Sequence, residues 1–151
     1  MTRRLPQFDQ ILSFMIAILD TNILISALLN PHSLPARLVD GWTERRFDLL
    51  TSEEQIAELR RVTRYAKVAS LVSAPRAGRL VRELRVHATF LGDLPAVDLC
   101  RDPNDNYLLA MAEVGMADCL VTGDKADLLV IGRHRSTRIV TAREFAEILN
   151  L

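Results

Sequence analysis

Acidic residues follow the most apolar runs of this 151-residue chain. Asp20 stands directly after "MIAIL" and precedes two small polar residues, Thr21 and Asn22, while Asp124 closely follows the apolar run "CLVT". In open parallel α/β sheets, ligands bind at the carboxyl ends of the strands. If these two runs are neighbouring strands, the two carboxylates lie side by side at that edge. The structural alternative for Asp20 is an N-cap for the apolar helix that follows.

Two more acids lie in predicted helical stretches: Asp105 near a helix start and Glu58 on the face of a helix. Each candidate acid has a structural explanation as well. Asp124 could cap the next helix, Asp105 could belong to a cap led by Asp102, and Glu58 could be a solvated charge three residues before Arg61. Therefore the joint placement of the acids, rather than any single one, predicts an acidic site.

Four carboxylates in one cleft would repel each other strongly. Two of them at about 4 Å cost on the order of 4 kcal/mol at an effective dielectric constant near 20. Bound cations or raised pKa values must offset this repulsion. Hard oxygen ligands favour Mg²⁺ or Mn²⁺ over zinc, and such ions hydrolyse phosphodiesters without a nucleophilic side chain. The sequence shows no Ser/His/Asp or Cys/His pattern of a nucleophilic enzyme, because the histidines are scattered: His32, His87 and His134.

Composition sets limits on the class of protein. Nineteen basic residues balance nineteen acidic ones, which argues against a surface coated in positive charge. The basic residues nevertheless cluster at 45–46, 60–64 and 132–138, where they could contact phosphates. The two cysteines, Cys100 and Cys119, lack metal-ligand spacing, which favours buried thiols in a reducing cytoplasm. No membrane span is expected.

The first residues raise a question of domain bounds. The basic start and the later apolar run suggest a signal peptide, but Asp9 and Gln10 interrupt the run and no small-residue cleavage site follows. "MIAILDTN" looks like a natural beginning. We therefore expect residues 1–14 to be an extension or a misassigned start, and residues 15–151 to form a single domain.

Five short β-like runs alternate with helical patterns, at 16–19, 47–50, 86–91, 119–122 and 138–141. The first and fourth are almost wholly apolar, as expected of central parallel strands covered on both faces. This alternation predicts an α/β domain with a mostly parallel sheet of four to five strands and helices on both faces.

Helix boundaries are also visible in the sequence. Capping patterns predict starts at Thr51 with Glu54, at Asp102 with Pro103 and at Thr141 with Glu144. A middle block over 66–85 reads as helical, with a proline start at 75, and a glycine at 115 suits a helix end.

Four blocks in order resemble one family. "ILDTN" (18–22), "SEEQIAELRRV" (52–62), "DPNDNYLLAMA" (102–112) and "LVTGDKADLL" (120–129) resemble the PIN-domain ribonucleases, and in particular the PIN-family toxins of bacterial type II toxin–antitoxin systems. The resemblance covers nearly the whole chain. It implies a three-layer α/β fold and an acidic site that binds Mg²⁺ or Mn²⁺ and cleaves RNA.

Carried over residue by residue, the resemblance implies that the catalytic and metal-binding acids are Asp20, Glu58, Asp105 and Asp124. Asn22 and Thr122 fall where the family often places polar helpers, and Asp127 falls where it often has another acid. Asp20 and Asp124 are expected to be the main ligands, Asp105 a ligand or water-positioning residue, and Glu58 a ligand or general base.

Partners follow from the same resemblance: an RNA substrate, a small antitoxin protein, and a homodimer or higher homo-oligomer. One alternative is a PIN-like scaffold that binds RNA or protein without catalysis. Another is a haloacid dehalogenase-like phosphatase, which also carries an aspartate after its first strand. That class needs a second acid two residues later, where this chain has Asn22.

Overall fold

The computed structural model describes residues 14–123 and 126–151. The expected extension over residues 1–14 lies outside the described residues except for Phe14, and its domain boundary stays a prediction. Asp124 and Lys125 also lie outside them. Over the described part of the chain, no helix has both the length and the apolar character needed to cross a membrane.

Strands and helices alternate along the chain. The strands are β1 (Ile16–Leu19), β2 (Asp48–Thr51), β3 (Thr89–Phe90), β4 (Cys119–Thr122), β5 (Arg133–His134) and β6 (Thr137–Thr141). The helices are α1 (Thr21–Leu29), α2 (Leu34–Thr43), α3 (Glu53–Thr63), α4 (Ala66–Ala69), α5 (Ala74–His87), α6 (Asn106–Gly115), α7 (Ala126–Leu129) and α8 (Ala142–Leu149), with a 3₁₀ turn at Pro103–Asp105.

The strands form one sheet in the order β3-β2-β1-β4-β6-β5. All neighbours pair in parallel except β5 and β6, which pair antiparallel. The predicted α/β class with a mostly parallel sheet is confirmed. The described sheet has one strand more than expected, because two-residue β5 is too short to leave a period-2 pattern in the sequence. The predicted run at 86–91 is strand only at Thr89–Phe90, because α5 continues to His87.

Side chains of β1 alternate between two cores, one on each side of the sheet. Ala17 and Leu19 pack with apolar residues of α1, α2, α3, α5 and α8. Ile18 packs into a second core built largely from α6, together with Leu120 of β4. Because successive residues of a strand point to opposite faces, four apolar residues in a row serve both layers. This arrangement is the three-layer architecture expected from the sequence.

The predicted helix starts were only partly correct. Thr141 and Glu144 form the expected capping box. The box predicted at Thr51 with Glu54 is wrong, since Thr51 still pairs in β2 and Ser52 is the cap of α3. The Thr51 hydroxyl instead donates to Gln55 Oε1 at 2.8 Å.

Helix α6 ends at Gly115, but this glycine does not take the left-handed cap position. Met116 takes it, with φ of 51°. Gly115 is needed for space: a Cβ added there would lie 2.3 Å from Leu50 Cδ1, and Leu50 is buried in the core beneath α6. By contrast, a Cβ added at the exposed Gly78 in α5 would meet nothing within 4 Å.

These two glycines give opposite predictions for stability. We expect Gly115→Ala to lower the free energy of unfolding by about 1–3 kcal/mol, because it overpacks the core against Leu50. Gly78→Ala should raise it by about 0.5–1 kcal/mol, because alanine restricts the unfolded chain and favours the helix. Urea unfolding followed by circular dichroism measures both changes. Equal effects of the two substitutions would contradict the packing role of Gly115.

Candidate active site

Asp20 lies where β1 leaves the sheet and α1 begins, and its side chain is 0% exposed. Its backbone N–H donates to the carbonyl of Val121 at 2.9 Å, which extends the pairing of β1 with β4 by one residue. Its Oδ1 accepts a weak 3.5 Å hydrogen bond from the backbone N–H of Asn22. Asp20 is therefore the N-cap of α1 as well as a buried carboxylate at the sheet edge.

Thr122 brings the second strand to the same point. It is the last residue of β4, and its hydroxyl donates to Asp20 Oδ2 at 2.8 Å. This contact follows from the parallel register, which pairs Leu19 with Val121. The carboxyl ends of β1 and β4 are thus neighbours. This was the condition under which the sequence predicted that Asp20 and Asp124 lie side by side. Asp124 itself lies outside the described residues, so its position and role stay predictions.

Glu58 projects from α3 toward the start of α1. Its Oε1 accepts a hydrogen bond from the Thr21 hydroxyl at 2.6 Å and another from the Tyr107 hydroxyl. The two hydroxyl oxygens are 3.1 Å apart. Glu58 Oε2 lies 3.8 Å from the Arg61 guanidinium. One carboxylate oxygen is therefore held by two hydroxyl donors from helices that are distant in sequence, while the other faces outward.

Tyr107 was not among the residues singled out from the sequence. Burial, and then the nearby charge of Glu58, raise the pKa of Tyr107 well above its ordinary value, and Asp20 adds to the rise. The phenol therefore keeps its proton and remains a donor to Glu58. Its position two residues after the candidate acid Asp105 is visible in the sequence, but that position alone does not indicate a contact with Glu58.

Asp105 is 3% exposed and ends the 3₁₀ turn that leads into α6. The turn begins as predicted, with Asp102 Oδ1 accepting from the N–H of Asn104 at 3.0 Å. Asp105 precedes Tyr107 by two residues, and the Tyr107 hydroxyl reaches Thr21 at the start of α1. Asp105 therefore lies at the same end of the sheet as Asp20.

The supporting residues differ in their surroundings. Asn22 is exposed at the start of α1 and contacts Asp20 through its backbone. Asp127 lies in the first turn of α7, where its carboxylate is 3.7 Å from the Arg101 guanidinium. An ion pair this long and this exposed contributes little to stability, and a role for Asp127 at the site stays a prediction.

Oxygen is the donor element throughout this region, which suits a hard cation such as Mg²⁺. However, over residues 14–123 and 126–151, no group of three or more His, Cys, Asp or Glu side chains stands close enough to hold a metal ion. The described carboxylates thus do not make a three-ligand centre of the zinc type. Magnesium takes one or two carboxylates with water and phosphate oxygens, so Asp20 and Asp105 fit it.

The fold and the site together define a class: α/β proteins with a mostly parallel sheet, a buried acid directly after a central strand and a second buried acid before a following helix. Comparison with known proteins makes this specific. Residues 17–126 match the family model described as "PIN domain", and the chain belongs to the PIN-domain family. This membership indicates a nuclease-type function, and PIN domains typically use divalent metal ions.

A curated relative comes from Methanocaldococcus jannaschii and is described as an uncharacterized protein. It is 27% identical over 139 residues, which cover 86% of this chain and 88% of the relative. The similarity therefore extends over nearly the whole length of both proteins.

The Tyr107 hydroxyl yields a prediction for pH dependence. Above pH 10 the unfolded chain ionises this phenol while the folded protein keeps its proton, so folding stability falls as the pH rises. Tyr107→Phe should cost about 1.5 kcal/mol at neutral pH through the lost hydrogen bond to a carboxylate. That cost should shrink by about 1.4 kcal/mol between about pH 8 and about pH 11.

Urea unfolding of both proteins across this range measures the difference. Tyr65→Phe is the matched control, because Tyr65 is 53% exposed and its substitution should change stability by less than about 0.5 kcal/mol. A cost for Tyr107→Phe that does not vary with pH would contradict the raised pKa.

Proposed function

We propose that this protein is an endoribonuclease that hydrolyses RNA phosphodiester bonds with the help of Mg²⁺ or Mn²⁺. The observation that carries the proposal is the burial of the Asp20 carboxylate at the junction of β1 and β4, within a PIN domain. A buried carboxylate costs folding free energy unless it is compensated, and cores seldom retain one without a use.

The chain's own residues would divide the work as follows. Asp20 and Asp105 are buried oxygen donors at one sheet edge and would hold the ion, with Asp124 as the expected third ligand. When bound, the ion would supply positive charge that polarises the phosphate and lowers the pKa of water. Thr122 donates to Asp20 Oδ2 and fixes the carboxylate in one orientation.

Glu58 suits the role of a positioned base better than that of a ligand. Two hydroxyl groups occupy its Oε1, which fixes the plane of the carboxylate. Its Oε2 has, within the described part of the chain, only the longer contact with Arg61. Oε2 is therefore the atom placed to accept a proton from an attacking water.

Asp20→Asn tests the central claim. Asparagine also caps helices and can accept the Thr122 hydrogen bond, so the variant should fold like the wild type. We expect it to lose RNA cleavage by at least about 100-fold, because the neutral amide is a poor ligand for a divalent ion. Cleavage of labelled single-stranded RNA is measured with Mg²⁺, with EDTA, and with Mg²⁺ restored.

Asp48→Asn is the matched control. Asp48 is an exposed aspartate at the first residue of β2, the opposite end of the sheet. The Asp48→Asn variant should cleave RNA at the wild-type rate. Cleavage that survives both Asp20→Asn and EDTA would refute the assignment of the site. A wild-type protein that binds RNA without cleaving it would favour the scaffold alternative. Hydrolysis of phosphomonoesters alone would favour a phosphatase.

The biological setting we propose is that of a toxin in a toxin–antitoxin pair, acting on cellular RNA in the cytoplasm. The support is the resemblance of the four motif blocks to PIN-family toxins. A small antitoxin that covers the acidic cleft, and a homodimer or higher homo-oligomer, belong to the same proposal.

Controlled expression in a bacterial host tests the toxin role. The wild-type chain should arrest growth, while Asp20→Asn, expressed to the same level, should permit it, because arrest requires RNA cleavage. Growth is followed by optical density, and the amounts of protein are compared by immunoblot. Normal growth with abundant, catalytically active wild-type protein would contradict toxicity while leaving the nuclease activity intact.

A further inference from the structure

An open pocket of about 470 Å³ lies on the outer side of α3, one turn beyond Glu58. It is lined by Ala57, Arg60, Arg61, Arg64 and Tyr65. Three guanidinium groups and one phenol ring surround an alanine floor, which is an unusual concentration of charge for a chain with no net charge.

Nearby acids do not neutralise this pocket. Glu53 lies at the start of α3, but both of its carboxylate oxygens accept hydrogen bonds from Arg85, at 2.8 and 3.0 Å. Glu58 contacts only Arg61 among the three arginines, and at 3.8 Å. Within the described residues, Arg60 and Arg64 form no ion pair. The pocket therefore carries excess positive charge and is complementary to an anion.

The pocket continues from the proposed active site. Glu58, Arg61 and Tyr65 are spaced three and four residues apart, so they follow one another along the same face of the helix. Arg61 Nε donates to the Tyr65 hydroxyl at 3.3 Å, which links the last two. The Tyr65 side chain is 53% exposed, so its ring is available to a ligand.

We propose that this pocket binds the RNA strand beside the cleaved phosphate, with the arginines on phosphates and Tyr65 stacked on an unpaired base. The inference rests on the proposed function and adds to it a surface on α3 that holds an unpaired segment of the RNA substrate. Bases can stack on an exposed aromatic ring only where they are not paired. Guanidinium groups hold phosphates through paired hydrogen bonds without reading sequence.

Binding is measured in the Asp20→Asn background, which prevents cleavage, by fluorescence anisotropy with a labelled single-stranded RNA. We expect Tyr65→Ala to weaken binding about tenfold, as the loss of one stacked base does. Tyr65→Phe should bind like the parent, because it keeps the ring and loses only the hydroxyl. Equal weakening by both variants, or by neither, would overturn the stacking role.

Salt dependence tests the arginines. Arg64→Ala should weaken binding and reduce the slope of log K against log salt by about 0.7, the value for one phosphate contact on a single strand. Arg37→Ala is the matched control, since Arg37 is exposed on α2 and lies outside the three basic clusters of the sequence. Unchanged RNA affinity and slope in Arg64→Ala would overturn the proposal and favour an acidic protein as the ligand of the pocket.

Cleavage assays on proteins that keep Asp20 separate this inference from the nuclease proposal. If the wild type cleaves RNA and Tyr65→Ala cleaves equally well at low substrate concentration, the proposed binding pocket is refuted and the proposed nuclease activity is supported. If the wild type does not cleave RNA but Tyr65→Ala still loses RNA affinity, the proposed nuclease activity is refuted and the proposed binding pocket is supported.

Discussion

The burial of Asp20 at the carboxyl end of β1 is the constraint around which the rest of the structure is arranged. A carboxylate with no exposed surface must receive hydrogen bonds or a positive charge, or it will take up a proton. The chain supplies donors from two directions: the N–H of Asn22 from α1 and the hydroxyl of Thr122 from β4. The Thr122 hydrogen bond depends on the parallel pairing of β1 with β4, which itself needs helices on both faces of the sheet. The hydrogen bonding of the buried acid therefore depends on the layered architecture of the sheet.

Much of this fold could be predicted because the strongest signals were local. β1 and β4 were predicted with their observed bounds, since each is a short, mostly apolar run closely followed by an aspartate. β5 could not be predicted, and β3 was predicted only as part of the longer run 86–91, because two-residue strands are defined by their partners rather than by their own pattern. The cap of α3 shifted from Thr51 to Ser52 for a similar reason. Pairing with β3 holds Thr51 in the sheet, and that pairing is not visible near Thr51 in the sequence.

The site was less accessible to sequence reasoning, because its decisive contacts join residues that are distant in the chain. The types and order of the acids predicted an acidic edge, but not how each acid would be held. Thr21 and Tyr107 are 86 residues apart, yet they meet at one oxygen of Glu58. Nothing local to Tyr107 indicates that its hydroxyl will be buried against a carboxylate. Spacing alone allowed Glu58 to be a solvated charge, and only the three-dimensional structure shows that two hydroxyl groups hold it.

Helix α3 shows how one segment can serve the fold and the site together. Its buried face carries Gln55, whose side-chain amide donates to the carbonyl of Leu19 at 2.7 Å, directly before Asp20. Its next face carries Glu58, and its outer face carries the arginines of the proposed RNA pocket. Because Gln55 is fully buried and fixed to β1, α3 cannot rotate or slide without breaking that bond. The distance from Asp20 to Glu58, and from Glu58 to the pocket, is thus set by the core. A strand of RNA that engages the outer face of α3 would meet acids whose positions were already determined by folding.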